Sequence, residues 1–405
     1  MKKATPRWLI PVAAIFILQT TTSFLARFIP IISPAMSDEF GWGGSSIGYL
    51  TAIASFGGFA VLLMAGSSLF RQIGGIRVLQ FSLILGAASL ALFLNSSLAV
   101  ALMACFVMGL SNGAANPAGS EVLQRFSPPE KRNLMFSVKQ AGVPLGGVIA
   151  GLAIPAIVIL TSWRSALFAG ACLIVLPTLL TWRMCAGIDE HSSSKRRLFT
   201  MPRLSSLRTL TVPLQSLTRG PGLLKMSVVG SLFAVAQSCW FTFTVIYLID
   251  GLGFSLGLAG AIFAIMQAGG VFGRIALGWL TDRMHSPTVT LSGTAIVSAI
   301  TTVLLGLSRP TWPLWTIIVL AFIAGCSVSS WNGVQIAEVA RRSPAELISE
   351  TSAGSSILIN LTNVIVPTAF AAFVAISGRY DYAFMCAGLS TLLVIAFLPR
   401  NERPA

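Results

Sequence analysis

Charge is the first thing this sequence lacks. Only 10% of its 405 residues are Asp, Glu, Lys or Arg, against roughly 25% in a soluble domain, while 55% are hydrophobic. Acid is scarcer still, with 13 acidic residues against 27 basic ones, and there are two histidines. These shortages exclude a soluble globular domain and a disordered chain. Cys105, Cys172, Cys185, Cys239, Cys326 and Cys386 make no CxxC or CxH spacing. All lie in or beside apolar stretches and read as small packing residues, with no disulfide or metal site expected. No Walker A lysine motif and no HExxH occurs, so ATP does not drive the protein directly. No cofactor is expected, and an enzyme has no visible catalytic set.

What is present is long apolar runs, at roughly 8–33, 44–69, 76–95, 98–123, 134–160, 165–183, 225–250, 256–280, 287–308, 312–337, 348–376 and 382–399. Each is near the ~20 residues that cross a bilayer. The expected fold is an all-α membrane protein of twelve transmembrane helices. The first run, behind Lys2, Lys3 and Arg7, is too long for a signal-peptide core and is expected to stay as a span. The polar interval 185–223 divides the chain into two six-helix bundles, 1–184 and 224–405. Within it, 195–219 reads equally as a basic amphipathic helix on the lipid surface or as a free linker.

The net charge of +14 would suit a nucleic-acid partner, but its distribution does not. With the N-terminus placed in the cytoplasm, 21 basic residues fall in tails and cytoplasmic loops. Only Arg164, Arg309 and Arg379 fall on the other face. Such asymmetry is the positive-inside signal of a multi-pass inner (plasma) membrane protein with both termini cytoplasmic. No nucleic-acid partner is expected, and a monomer in the lipid bilayer is.

The halves echo one another. Asn112-Gly113, Glu121-Val122-Leu123-Gln124-Arg125 and Ser127-Pro128-Pro129-Glu130 match Asn332-Gly333, Glu338-Val339-Ala340-Arg341-Arg342 and Ser343-Pro344-Ala345-Glu346. Gly66, Arg71 and Gly74 match Gly278-Trp279-Leu280-Thr281-Asp282-Arg283. Parallel repeats of this kind imply a central path with a site near mid-membrane.

On these residues the chain resembles the major facilitator superfamily over essentially its whole length. Gly278-x-x-x-Asp282-Arg283 is similar to that family's loop motif, and the first-half copy departs from it at Phe70. Arg27 in span one, Trp163-Arg164 opening span six and Gly273-Arg274 in span eight resemble the monocarboxylate transporter and cyanate-permease-like branches. Gly270 stands where animal-type monocarboxylate transporters carry an Asp. Gly142-Val143-Pro144-Leu145-Gly146-Gly147 resembles an antiporter motif with its proline displaced. Small residues there also serve helix packing, so antiport is not inferred.

Three cations fall inside the spans, Arg27, Lys139 and Arg274, while every acid falls in a loop or at a helix end. A cation at a helix centre costs about 3 kcal/mol on insertion scales. Water in a cavity, or an arriving anion, would compensate. The rival reading for Arg27 and Lys139 is snorkelling to the outer and inner surfaces. Gln140, Asn112, Asn116, Tyr247, Asn332, Gln335 and Asn360 could add polar contacts, although amides in membranes also join helices. Glu121 and Glu338, at the inner ends of spans four and ten, are expected to pair with loop arginines such as Arg71 and Arg283, with Asp282, as a gating latch.

The function expected is secondary active transport of small organic anions, monocarboxylates first, by alternating access. Arg27 would hold the carboxylate from outside, Arg274 from the second bundle and Lys139 from inside. Proton symport is compatible with this reading, with the proton on the substrate or on Lys139. An exporter of drugs or amphipathic metabolites on the same fold is the alternative. A non-transporting sensor is disfavoured because the polar interval is too small for a further folded domain.

Overall fold

The computed structural model describes residues 8–65, 74–128, 132–184, 208–344 and 347–399, and these are almost wholly helical. In chain order the first half contains α1 (Leu9–Phe40), α2 (Ser46–Ala65), α3 (Gly75–Ser89, continued by a 3-10 turn, Leu90–Leu94), α4 (Leu98–Gly113), α5 (Ala115–Phe126), α6 (Arg132–Leu160) and α7 (Trp163–Met184). A short helix α8 (Arg208–Ser216) follows. The second half contains α9 (Leu223–Asp250), α10 (Leu256–Met284), α11 (Pro287–Leu307), α12 (Leu314–Val328), α13 (Asn332–Arg342), α14 (Ile348–Ser377), α15 (Tyr380–Thr391) and α16 (Leu393–Phe397). Among the described residues eleven helical spans are long and apolar enough to cross a membrane, and α2 supplies a shorter apolar twelfth. Side chains such as Leu160, Phe168 and Ile376 lie more than 70% exposed on these helices. An apolar outer surface of this kind faces lipid, which takes the place of a polar rim.

Two features differ from the hydropathy pattern. First, α1 runs to Phe40 rather than ending near residue 33, and its 32 residues make it about 48 Å long. The extension Ser33–Ser37 is polar enough to end a hydropathy run, yet Ser33, Met36 and Ser37 are buried. They are covered by protein, so lipid never tests their polarity. Second, spans four and ten are each interrupted. Pro117 has no amide hydrogen for the carbonyl of Gly113, and the helix restarts with Ala118 N–H donating to Ala114 C=O at 3.1 Å. In span ten the hydroxyls of Ser329 and Ser330 donate to Gly325 C=O at 2.9 and 3.1 Å. Serine side chains thereby compete with the backbone ladder, and the helix stops.

By contact the chain divides into two compact units, Met1–Ile29 with Phe56–Ser205 and Pro30–Ser55 with Ser206–Ala405. The division within α1 falls at Pro30. In the first unit α6 lies close along α1 because Gly142 and Gly146 carry no side chain. A Cβ at Gly142 would stand 2.9 Å from Thr20 Oγ1, and one at Gly146 would stand 2.7 Å from the Phe24 nitrogen. The glycine motif of span five is thus a packing stripe. In the second unit α10 packs on α12, α11 on α15 and α9 on α14. Its core joins Met226, Val229, Phe233, Leu291, Trp331 and Val394. Phe233 and Trp331 stack there, with ring centroids 5.3 Å apart.

The interval after α7 is described only from residue 208, where α8 packs against α14. The expected basic surface helix over 195–219 is therefore seen as Arg208–Ser216 alone; Lys195, Arg196, Arg197 and Arg203 lie outside the described residues, and Arg219 is exposed just past the helix.

Candidate functional site

Each unit holds a cation beside the break in its interrupted span, Lys139 buried in the first and Arg274 part-buried in the second. In the first unit Lys139 is 2% exposed. It lies two turns into α6, and its side chain crosses to α5. The ammonium donates to the Asn116 carbonyl at 3.1 Å, the Asn116 side-chain oxygen at 3.5 Å and the Ser120 hydroxyl at 3.3 Å. Gly119 makes the room, because a Cβ there would stand 2.9 Å from Lys139 Cε. Lys139 therefore does not snorkel. Among the described residues no carboxylate pairs with it, and all three acceptors are neutral. Bonds from a charged donor contribute about 1.5–3 kcal/mol each. Together they can offset an insertion cost of about 3 kcal/mol while leaving the positive charge uncancelled.

In the second unit the glycines of α10 bring its backbone against α12. A Cβ at Gly269 would overlap the Phe322 carbonyl, and one at Gly273 would stand 2.5 Å from Cys326 Cα. This approach carries Arg274 to the end of α12. There its Nε and Nη2 each donate to the Ser329 carbonyl at 3.4 Å. A cation at a helix C-terminus is favourably placed, since the last carbonyls lack partners and bear the negative end of the dipole. Ser330 adds a bond across the same contact, donating to Gly270 C=O at 3.2 Å.

Arg27 is part-buried in α1, two to three residues past the midpoint of the helix as it stands. That is about 4 Å along the axis, nearer the middle than a span ending at residue 33 would place it. Arg164 stacks over the Trp163 ring at 4.4 Å, outside these centres.

The polar candidates divide. Asn116 holds Lys139, as described above. Asn112 lies one turn earlier, beside the same break, and Gln140 follows Lys139 half-buried. Asn332 begins α13 just past the second break. Three others are occupied with packing. Gln335 is fully buried and donates from Nε2 to the Met226 carbonyl at 3.2 Å and the Ser355 hydroxyl at 3.1 Å, joining α13 to α9 and α14. The Tyr247 hydroxyl is shared among Gly306 and Ser308 at 3.3–3.5 Å. Asn360 donates to Ser356 C=O on its own helix at 2.8 Å. These bonds place Gln335 and Tyr247 in helix packing rather than beside either cation. Ser329 and Ser120 were missed by sequence reasoning, since a serine near a helix end carries no distinctive signal.

The expected latch also differs. Glu338 is clamped by its own helix: Arg341 Nη2 and Arg342 Nε each lie 2.6 Å from Oε1, and Arg341 Nε lies 2.8 Å from Oε2. Pairing with Arg283 is thus corrected, because arginines three and four residues on meet the carboxylate without bridging any loop. Arg283 instead lies over the Trp279 ring at 5.4 Å, and Asp282 is exposed with no ion pair among the described residues. Arg71 and the Glu121 side chain lie outside the described residues.

Two stretches fit the loose G-x-S-x-G spelling of a hydrolase nucleophile, Gly44–Gly48 and Gly253–Gly257. Neither follows a strand, as a nucleophile elbow would. Ser255 is a helix cap, accepting from Leu258 N–H at 3.3 Å.

Comparison with known proteins agrees with this architecture. The profile of the Major Facilitator Superfamily matches residues 12–354. The chain is similar to a 4-hydroxybenzoate transporter of Pseudomonas aeruginosa, at 25% identity over 63% of this chain and 62% of that protein. It is also similar to a hexuronate transporter of Bacillus subtilis, at 22% identity over 98% and 96%. The matched part spans about three fifths of the length of the first curated relatives. A crystal structure of the nucleoside transporter NupG superposes with a TM-score of 0.75 at 12% identity, covering 96% of this chain and 98% of that one. The family and these relatives are transporters, not enzymes. Twelve apolar spans, two echoing halves and a profile match over most of the length place the chain in one family: it belongs to the Major Facilitator Superfamily.

Proposed function

We propose that the protein is a secondary transporter of small organic anions, monocarboxylates first, working by alternating access. The observation that carries this reading is Lys139, buried to 2% exposure and held, among the described residues, by neutral oxygens alone. Its hydrogen bonds are satisfied but its charge is not, and a carboxylate would cancel that charge. Arg274 offers a planar fork suited to bidentate carboxylate binding. Its bonds to Ser329, at 3.4 Å, are long enough to yield to a charged acceptor. Interrupted helices in corresponding positions of two repeats are where transporters of this architecture place their binding sites. Two relatives whose names specify cargo, the 4-hydroxybenzoate and hexuronate transporters, carry carboxylates, which favours the anion reading over an exporter of neutral amphiphiles.

The basic asymmetry supports a place in the inner membrane with both termini cytoplasmic. A proton could travel with the substrate, because no carboxylate at mid-membrane is needed when the cargo itself neutralises the cations. The experiment is uptake of labelled 4-hydroxybenzoate and hexuronate into proteoliposomes, with and without an inward proton gradient. Saturable uptake of at least one carboxylate, abolished in Arg274→Leu, is expected. Uptake of neutral compounds alone would remove the reading.

A further inference from the structure

The second unit contains a half-open cleft of about 740 Å³ that neither cation centre uses. It lies where α9 begins, α13 ends and the chain leaves α16. Its walls include Lys225, Arg342, Gly222, Leu217, Leu398 and Pro399. We infer that this cleft binds the phosphate of an anionic phospholipid, with Lys225, Arg342 and the first turn of α9 as its receptor.

Three independent features converge on a phosphate. The first is charge. Among the described residues Glu338 is the one carboxylate answering both Arg341 and Arg342, which leaves one positive charge there, and exposed Lys225 adds another. The second is an incomplete arginine. The Arg342 side chain is only 6% exposed; its Nε binds Glu338 and its Nη1 reaches the Pro221 carbonyl at 3.4 Å. Its Nη2 is buried and has no hydrogen-bond partner among the described residues. The third is the helix start. Gly222 caps the 28-residue α9 at φ 71° and offers no side-chain oxygen to the first-turn amides. The Leu223 N–H donates to the Gly220 carbonyl at 3.4 Å, and the Leu224 and Lys225 amides with the positive end of the dipole form an anion seat. Gly222 also lets two walls of the cleft close on the start of α9, since a Cβ there would stand 2.8 Å from both Arg342 Nη1 and Pro399 Cβ.

The lipid source follows from the surroundings. The cleft sits at the ends of three spans, the level of the headgroups, on the side that the basic asymmetry assigns to the cytoplasm. Basic pockets between spans on that side suit anionic headgroups. Leu224 beside it and Leu393 and Phe397 of α16 are 42–50% exposed and apolar, a surface on which acyl chains can lie.

The test uses the full-length protein purified in a neutral detergent. Its melting temperature is measured with phosphatidylglycerol, with phosphatidylcholine and with soluble glycerol phosphate. Phosphatidylglycerol is expected to raise it, phosphatidylcholine far less. In Lys225→Glu, an exposed change whose folding is checked by size exclusion, the apparent affinity for phosphatidylglycerol should fall at least tenfold. Gly222→Ala should weaken it as well, by displacing Arg342. Equal stabilisation by the two lipids, or a phosphatidylglycerol response unchanged in Lys225→Glu, overturns the site. A Lys225-dependent response to glycerol phosphate equal to that of the lipid overturns the lipid as occupant and leaves a soluble phosphate ester in its place.

Discussion

The Lys139 ammonium occupies space that Gly119 leaves open: a single added methyl at Gly119 would come within 3.3 Å of Nζ and 2.9 Å of Cε. The two residues sit on different helices, and the glycine lets the lysine reach the Asn116 carbonyl instead of the membrane surface. Substituting Gly119→Val should therefore displace the ammonium. Overpacking of this kind costs about 1–3 kcal/mol, and carboxylate uptake should fall by more than tenfold. Melting curves and uptake by the same preparation check both numbers.

Lys139→Met separates charge from shape. Methionine fills much of the stem's volume and removes a charge worth about 3 kcal/mol to insert, but it strands the Asn116 and Ser120 acceptors. Stability should change by less than about 2 kcal/mol, since replacing a buried charge by an apolar side chain is often neutral or better. Carboxylate binding should nevertheless be lost. A variant that binds carboxylate as the parent does would take Lys139 out of the site.

Arg274→Lys keeps the charge and loses the fork. If the guanidinium engages a carboxylate through two parallel bonds, the lysine variant should bind it at least tenfold more weakly while staying folded. Isothermal titration of both proteins with one monocarboxylate reads this directly.

Glu338→Gln removes the one carboxylate shared by Arg341 and Arg342. Breaking a buried pair costs about 3–5 kcal/mol. Because the Arg341 side chain is 43% exposed, the loss should sit at or below the lower end, near 3 kcal/mol. Thermal unfolding with Arg341→Gln as the companion variant checks it, and that variant should cost far less.

Much of the fold was legible because the membrane enforces it: apolar runs of span length leave little choice of structure. Where protein rather than lipid covers a helix, that logic fails. Ser33 and Ser37 ended the hydropathy run, yet they are buried within a helix that continues to Phe40. The breaks in spans four and ten were marked by Pro117 and by the Ser329-Ser330 pair, but apolar content alone ran through both. The presence of Arg27, Lys139 and Arg274 on the spans was legible from charge placement, but which of them is buried was not. Their acceptors were not, since a carbonyl at a helix break has no letter in the sequence. Amides gave the least information: Asn116 lies on a cation and Gln335 ties three helices together, and nothing in residue type distinguishes them.

In the proposed function, Lys139 and Arg274 await an anion. The most direct measurement compares thermal stabilisation by a small aromatic monocarboxylate with that by its neutral amide, in the parent protein, Lys139→Met and Arg274→Leu. At 100 times its Kd the carboxylate should stabilise the parent by about 2.7 kcal/mol, the amide should not, and both variants should lose the response. Equal stabilisation by acid and amide, or a carboxylate response that survives both substitutions, would contradict the account.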